Sequence, residues 1–256
     1  MKIKYYILTA VISYLFFTLA STPAATAFSL LKDNIKLPFS IQGIDGSIWN
    51  GHAQRLVAQN APQIDNLSWT INPFSLLLAH LSANIKTEVL KNKITGNVTF
   101  SITDQQVSAS EVKTKLTGAT IQQLLKLPLG EIGGDFDINI DQAVINQPLP
   151  LITGVILWNK ATFTLVDTVD LGNIEISLTP SEAKTLIADI KNKGGDISIE
   201  GKVSLAENKN YVLDLTLKPS QNASSNITQS LGMFAKRQTN GTYLVKQNGN
   251  LRSLGF

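Results

Sequence analysis

The residues able to do chemistry are few, and their spacing assembles no site. The two histidines, His52 and His80, stand apart: His52 follows Gly51 in a turn-like segment, and His80 lies in Leu76-Leu77-Leu78-Ala79-His80-Leu81. Neither belongs to an H-x-x-x-H pair, and a chain without cysteine has no thiolate to complete a metal shell. Both read as structural side chains. Asp135, Asp137, Asp141 and Asp170 are the remaining candidates for a paired acid and base or a cation site. Asp135 and Asp137 alternate along one strand-like stretch, where solvated charge is the expected role. A G-x-S-x-G nucleophile turn is absent, as are the G-x-x-x-x-G-K-S/T and G-x-G-x-x-G phosphate loops. Gly130-Glu131-Ile132-Gly133-Gly134-Asp135 is glycine-rich but leads into a strand, so a hairpin turn is expected there. The reading assigns no catalytic, cofactor-binding or metal-ligating residue and expects no cofactor and no enzymatic activity.

Composition narrows the field further. Of 256 residues, 43% are hydrophobic and 16% charged, enough for a substantial core and too apolar for a disordered chain. The net charge of +3 owes most to Lys2 and Lys4; without them the 22 basic residues fall almost level with the 19 acidic ones. No basic stripe able to neutralise phosphates remains, so nucleic acid is not an expected partner.

After Lys2 and Lys4 comes Tyr5 to Ala20, apolar except for Thr9, Ser13 and Thr18, and no further charge occurs before Lys32. Two readings fit. A signal peptide would end at Ala25-Thr26-Ala27. A retained anchor needs about 20 residues to cross some 30 Å of hydrocarbon, and Tyr5 to Ala25 supplies them. The anchor is favoured, with the two lysines holding the N-terminus inside. The expected organisation is therefore 1–27 as membrane anchor (or signal peptide) and 28–256 as a β-rich domain outside the cytoplasm. A weak internal similarity, Gly46-Ser47-Ile48-Trp49 against Gly154-Val155-Ile156-Leu157-Trp158, offers two similar halves dividing near 145–150 as a refinement.

The body alternates with period two: Val98, Phe100 and Ile102; Phe136, Ile138 and Ile140; Ile197, Ile199, Val203 and Leu205; then Val212 to Leu217 and Tyr243 to Val245. Gly201 interrupts one run as an expected bulge or bend. One apolar and one polar face per strand predict a curved antiparallel sheet, a mainly β fold with a few short helices. Those helices are expected at 119–126, at 226–236, and from Thr179 to Lys193. The last would take Pro180 in its first turn, Glu182 in a capping box, Ala183, Leu186, Ile187 and Ile190 on one face, and Gly194 as C-cap.

Three stretches in succession resemble the general secretion pathway protein N family of type II secretion systems. The first is Gly43-Ile44-Asp45-Gly46-Ser47-Ile48-Trp49-Asn50-Gly51-His52-Ala53, similar to the family's G-[TS]-hydrophobic-W-x-G signature after a Pro-Ala step, here Pro23-Ala24. The second is Leu67-Ser68-Trp69-Thr70-Ile71-Asn72-Pro73 leading into Leu76, Leu77 and Leu81, with Ala79 where members often carry glycine. The third joins Leu231-Gly232, Gly241-Thr242-Tyr243-Leu244-Val245 and Gly249-Asn250-Leu251. The motif residues are thus Gly46, Trp49, Gly51, Trp69, Pro73, Gly232, Gly241, Tyr243 and Gly249, either structural or partner-binding. On their own chemistry the tryptophans read as core packing, and Trp69 as part of a strand that Pro73 ends.

The resemblance implies a non-enzymatic, single-pass inner-membrane protein with a periplasmic domain. Its partners would be other type II secretion subunits and the bilayer, and its task to assist export of folded proteins across the outer membrane. The alternative is a periplasmic carrier of lipid or another hydrophobic ligand, with Ile138, Ile140, Ile197, Ile199, Leu213 and Leu215 lining a groove unless a helix such as 180–193 covers it.

Overall fold

The computed structural model describes residues 2–34, 38–58, 61–125, 130–145, 148–165, 167–181, 185–221 and 223–251. They fall into two compact units, Met1–Gln105 and Gln106–Phe256.

The first unit opens with helices α1 (Lys2–Ser21) and α2 (Ala24–Asn34). Strands β1 (Phe39–Gly46), β2 (Asn50–Ala58), β3 (Ile64–Asn72), β4 (His80–Val89) and β5 (Asn92–Ser101) follow as an antiparallel meander, each paired with the one before. A 3-10 helix, Pro73–Leu78, joins β3 to β4, so Pro73 ends the strand as its missing N–H requires. Helix α2 packs on the edge strand β1. Among the described residues the buried hydrophobics of this unit are Ala24 and Ala53 alone, so most of its strand residues are half-buried or exposed. Among those residues, too, no helix is long and apolar enough to cross a membrane; the side chains of Ile12, Leu15, Phe16, Leu19 and Ala20 in α1 lie outside them.

The second unit holds β6 (Gln106–Thr117), α3 (Gly118–Leu125), β7 (Glu131–Val144), β8 (Leu151–Thr164), β9 (Thr168–Pro180), β10 (Thr185–Lys193), β11 (Ile197–Ala206), β12 (Asn210–Pro219), α4 (Ser225–Phe234), β13 (Lys236–Arg237) and β14 (Tyr243–Asn250). Neighbours in sequence pair in order from β6 to β12, then β14 joins β12 and the short β13 closes the outer edge. The core sits where α4 lies on the sheet: Ile197, Leu217, Ile227, Leu231 and Tyr243 form one buried cluster. Helix α4 is capped by Ser224, whose hydroxyl accepts from the N–H of Ile227.

The mainly antiparallel β reading holds, and so do the short helices near 119–126 and 226–236; Lys126 and Pro128 lie outside the described residues. The helix expected from Thr179 to Lys193 is wrong. Pro180 ends β9, and Thr185–Lys193 is β10, hydrogen-bonded to β9 on one side and β11 on the other; Glu182 and Ala183 lie outside the described residues. The local preference of Leu186, Ala188 and Lys191 for helix yields to two flanking ladders, which the alternation of Ala188 and Ile190 with Asp189 and Lys191 also fits. Gly194 is left-handed, φ +81°, but in the β10–β11 turn rather than as a helix cap.

Two glycine expectations also change. Gly201 leaves its ladders in register; its missing Cβ is required because a methyl would collide with the Asp214 carbonyl of β12. Gly130–Asp135 is not a hairpin turn, since α3 stands between β6 and β7, and Gly134 (φ +86°) instead marks a shift in the β7–β8 register. The segment 145–150 lies between the paired strands β7 and β8; residues 146 and 147 lie outside the described ones. Trp49 and Trp158 have unlike settings, a turn and mid-strand.

Candidate functional site

Gly46 and Gly51 face each other across the β1–β2 hairpin, and Ser47 to Asn50 form its turn. Gly46 has φ +78°, and a Cβ there would stand 2.5 Å from the Asn50 carbonyl oxygen. The turn is pinned from several sides. Ser47 N–H donates to Asn50 O at 2.9 Å, and Asn50 N–H donates back to the Ser47 hydroxyl at 3.1 Å. Gly51 pairs with Trp69 of β3, and its bare Cα lets the indole lie flat against the backbone; a Cβ would overlap the ring. The indole Nε1–H donates to Ile48 O at 3.0 Å, while Ile71 N–H donates to Trp49 O at 2.6 Å. The sequence motif is thus a corner locked by Trp69 and two glycines. Trp69→Phe keeps the ring and removes the donor; we expect about 1 kcal/mol of lost stability in urea unfolding.

At the end of the same strand, the Asn72 side chain caps the 3-10 helix by accepting from Phe74 N–H at 3.0 Å. The helix ends at Ala79 in the left-handed region, φ +57° and ψ +30°. Glycine meets this geometry without the Cβ strain. Ala79→Gly should therefore raise stability slightly, by about 0.5–1 kcal/mol, rather than lower it as glycine usually does.

The third stretch belongs to the second unit. Leu231 is only 3% exposed, and the Tyr243 hydroxyl donates to Thr228 O of α4 at 3.4 Å, tying helix to strand. Gly241 has φ +80° in the turn between β13 and β14. Gly249 lies opposite Tyr211, whose ring a Cβ would touch at 2.9 Å. Gly232 differs from the rest: nothing lies within 4 Å of its Cβ position. The structure therefore gathers the motif into two separate places, the β1–β2–β3 corner and the α4–β14 contact.

The chemical candidates resolve into structural roles. His52 Nδ1 lies 3.2 Å from the Ser68 hydroxyl across β2 and β3. His80 Nδ1 is buried and has no hydrogen-bond partner. Asp137 bridges Lys115 Nζ at 2.8 Å and accepts from Asn159 Nδ2 at 2.9 Å, across β6, β7 and β8. The hydrogen bond and charge of Asp137 raise the pKa of Lys115 above its ordinary value. Because the ammonium is fully solvated, Lys115→Met should leave the unfolding midpoint nearly unchanged. Asp170 accepts from Gly172 N–H at 2.8 Å, and Asp141 is exposed on β7. Among the described residues no group of three or more His, Asp or Glu side chains could hold a metal ion.

One feature escaped the sequence. An apolar pocket of about 320 Å³ lies in the second unit, lined by Phe163, Val169, Leu171, Ile199, Leu217 and Ile227 among others. Its polar lining residues, Asp167, Asn226 and Ser230, are all exposed, and Asn226 Nδ2 donates to Asp167 at 3.0 Å. Of the six groove residues expected, Ile197 and Ile199 line it and Leu215 packs against the adjoining cluster; Ile138, Ile140 and Leu213 do not line it. The helix covering this face is α4, not 180–193. Period-two alternation at Val169 and Leu171 was the available signal, but only the return of α4 over β11 and β12 closes the space.

Comparison with known proteins agrees with the family resemblance over most of the chain. Residues 38–246 match the family model described as type II secretion system (T2SS), protein N. A protein of Aeromonas hydrophila named type II secretion system protein N is 22% identical over 248 residues, covering 94% of this chain and 95% of that protein. No solved structure matches. With all of β1 to β13 and the first half of β14 inside the matched region, the chain belongs to the type II secretion system protein N family.

Proposed function

We propose that this chain is a non-enzymatic, inner-membrane-anchored subunit of a type II secretion system whose β-rich part works in the periplasm. The observation that carries the reading is one of order: a 20-residue helix with lysines only at its start precedes a region that matches the family from residue 38 onward. At 1.5 Å per residue, α1 is about 30 Å long, the thickness of a bilayer's hydrocarbon. Its apolar composition in sequence supports the span, and Lys2 and Lys4 set the N-terminus inside. The alternative cleavage site, Ala25-Thr26-Ala27, is helical in α2, and Ala27 N–H donates to Pro23 O at 3.1 Å. A peptidase reads extended chain, so this geometry supports retention. Residues 1–27 then anchor the protein, residues 28–256 face the periplasm, and the partners are other subunits of the inner-membrane platform.

N-terminal sequencing and alkaline carbonate extraction of the protein made in its host test the anchor. Retained Lys2 and resistance to extraction are expected; a new N-terminus at Phe28 on a soluble protein overturns it. Removing the chain from a strain that depends on the system is expected to stop exoprotein release and alter the platform's composition. Unchanged secretion rejects the subunit role.

The apolar pocket favours a second reading, a carrier of lipid or another hydrophobic ligand. Its volume of about 320 Å³ is at the low end of small-molecule sites, roughly 300–1,000 Å³. One acyl chain suits the apolar lining, and the Asp167 carboxylate at the rim suits a neutral or zwitterionic head over a free fatty acid. Native mass spectrometry of the full chain should show a co-purifying lipid, lost in Ile199→Trp, which fills the pocket. Repeated absence of any adduct rejects the carrier.

A further inference from the structure

We propose that the 3-10 turn Pro73–Leu78 is a second membrane contact, inserted in the leaflet from which α1 emerges. The proposal rests on the reading of α1 as an anchor. The turn is unusual for its exposure: Phe74 is 73% exposed, Leu77 83% and Leu78 73%. Four of its six residues are large and apolar, and none is buried. A patch this bare on a loop tip signals an occupant.

The chain itself indicates which occupant. The end of α1 is fastened to this edge of the first unit. Ile48 N–H donates to Thr22 O at 3.2 Å, and Pro23 bridges to Ser47. The β1–β2 turn holding that end is bonded in turn to β3, through Ile71 N–H and Trp49 O, two residues before Pro73. The 3-10 turn therefore lies within roughly two strand spacings, about 10 Å, of the point where α1 meets the sheet.

Charge is arranged to match. Every segment reaching this edge is free of Lys, Arg, Asp and Glu: Thr22 to Leu31, Gly46 to Gln54, Leu67 to Ile85 and Ile94 to Thr103. Asp45 and Asp104 border it, and Asp104 is turned back to accept from the Ser101 hydroxyl at 2.9 Å. The opposite end of the same strands carries Arg55, Asp65, Glu88, Lys91 and Lys93, with Arg55 and Asp65 in an ion pair at 3.6 Å. A partner protein would usually leave some charged residues at the polar rim of its apolar contact. An uncharged edge with a convex leucine tip suits hydrocarbon. Two attachments also fix the tilt of the first unit, which a lone helix would leave free.

The chain has no cysteine, so single-cysteine variants report one place each. Full-length Leu77→Cys, Lys91→Cys and Val11→Cys, each carrying an environment-sensitive fluorophore, would be reconstituted in phosphatidylethanolamine–phosphatidylglycerol vesicles. Quenching by acyl-chain nitroxide lipids is then compared with quenching by aqueous iodide. The expected result is lipid quenching at positions 77 and 11, with iodide quenching severalfold weaker than at position 91. Iodide quenching at 77 equal to that at 91, while 11 stays lipid-quenched, overturns the proposal and leaves the anchor standing. Protection of 77 from both quenchers means that a second copy covers it and also overturns the proposal. Loss of lipid quenching at 11 overturns the anchor reading beneath.

Discussion

Gly51→Val will cost the first unit about 3 kcal/mol or more, the largest effect expected of any motif glycine. The estimate joins two terms, overpacking at roughly 1–3 kcal/mol and an unpaired carbonyl at roughly 1–3 kcal/mol. Valine cannot coexist with the Trp69 ring where it stands, because even a bare Cβ overlaps it. The indole must swing away, and its bond to Ile48 O goes with it. Chemical denaturation followed by tryptophan fluorescence should show both the lower midpoint and a shifted native spectrum. Gly232→Ala is the contrasting variant. With open space around its Cβ and a helical backbone, alanine there should stabilise α4 by about 0.5–1 kcal/mol. If the two glycines behaved alike, the corner would not be the packing device described.

Leu231→Ala is expected to cost the second unit roughly 2–5 kcal/mol. Leu231 is the most buried member of the cluster beneath α4 and also lines the apolar pocket. Its truncation leaves α4 held, among the described residues, by the buried side chain of Ile227 and the 3.4 Å bond from Tyr243. Thermal unfolding should move to lower temperature, and hydrogen exchange should quicken first over 225–234. A hydrophobic ligand added at saturation should restore part of the loss if the pocket binds one, since binding to the native state alone adds stability. Exchange that quickened evenly across β6 to β12 would instead mean that α4 is no separate cover.

Strands were legible where alternation was strict. Val98 to Ile102, Phe136 to Ile140 and Val212 to Leu217 all show period two, and each falls in a strand or at its immediate end. The short helices around 119–126 and 226–236 were legible, the second from the spacing of Ile227 and Leu231. Thr185–Lys193 was misread because leucine, alanine and lysine favour helix locally, while its strand state comes from neighbours on either side. The site was half legible. The motif residues named the corner and the α4–β14 contact, but their division between two units is a matter of topology. The pocket depends on residues from β8 to α4 meeting in space, and the bareness of Leu77 on which way a turn points. Neither is written in any local pattern.

The pairing scheme has a consequence for the order in which the chain folds. Within each unit nearly every ladder joins consecutive strands, so contact order is low and each hairpin can form as its residues arrive. The exception is β12 with β14, which must wait until α4 and β13 have been delivered. Growth can thus follow the order of synthesis almost to the end, when the last strand to arrive covers the long edge of β12 and leaves β13 to pair with only Tyr243 and Leu244 beyond it.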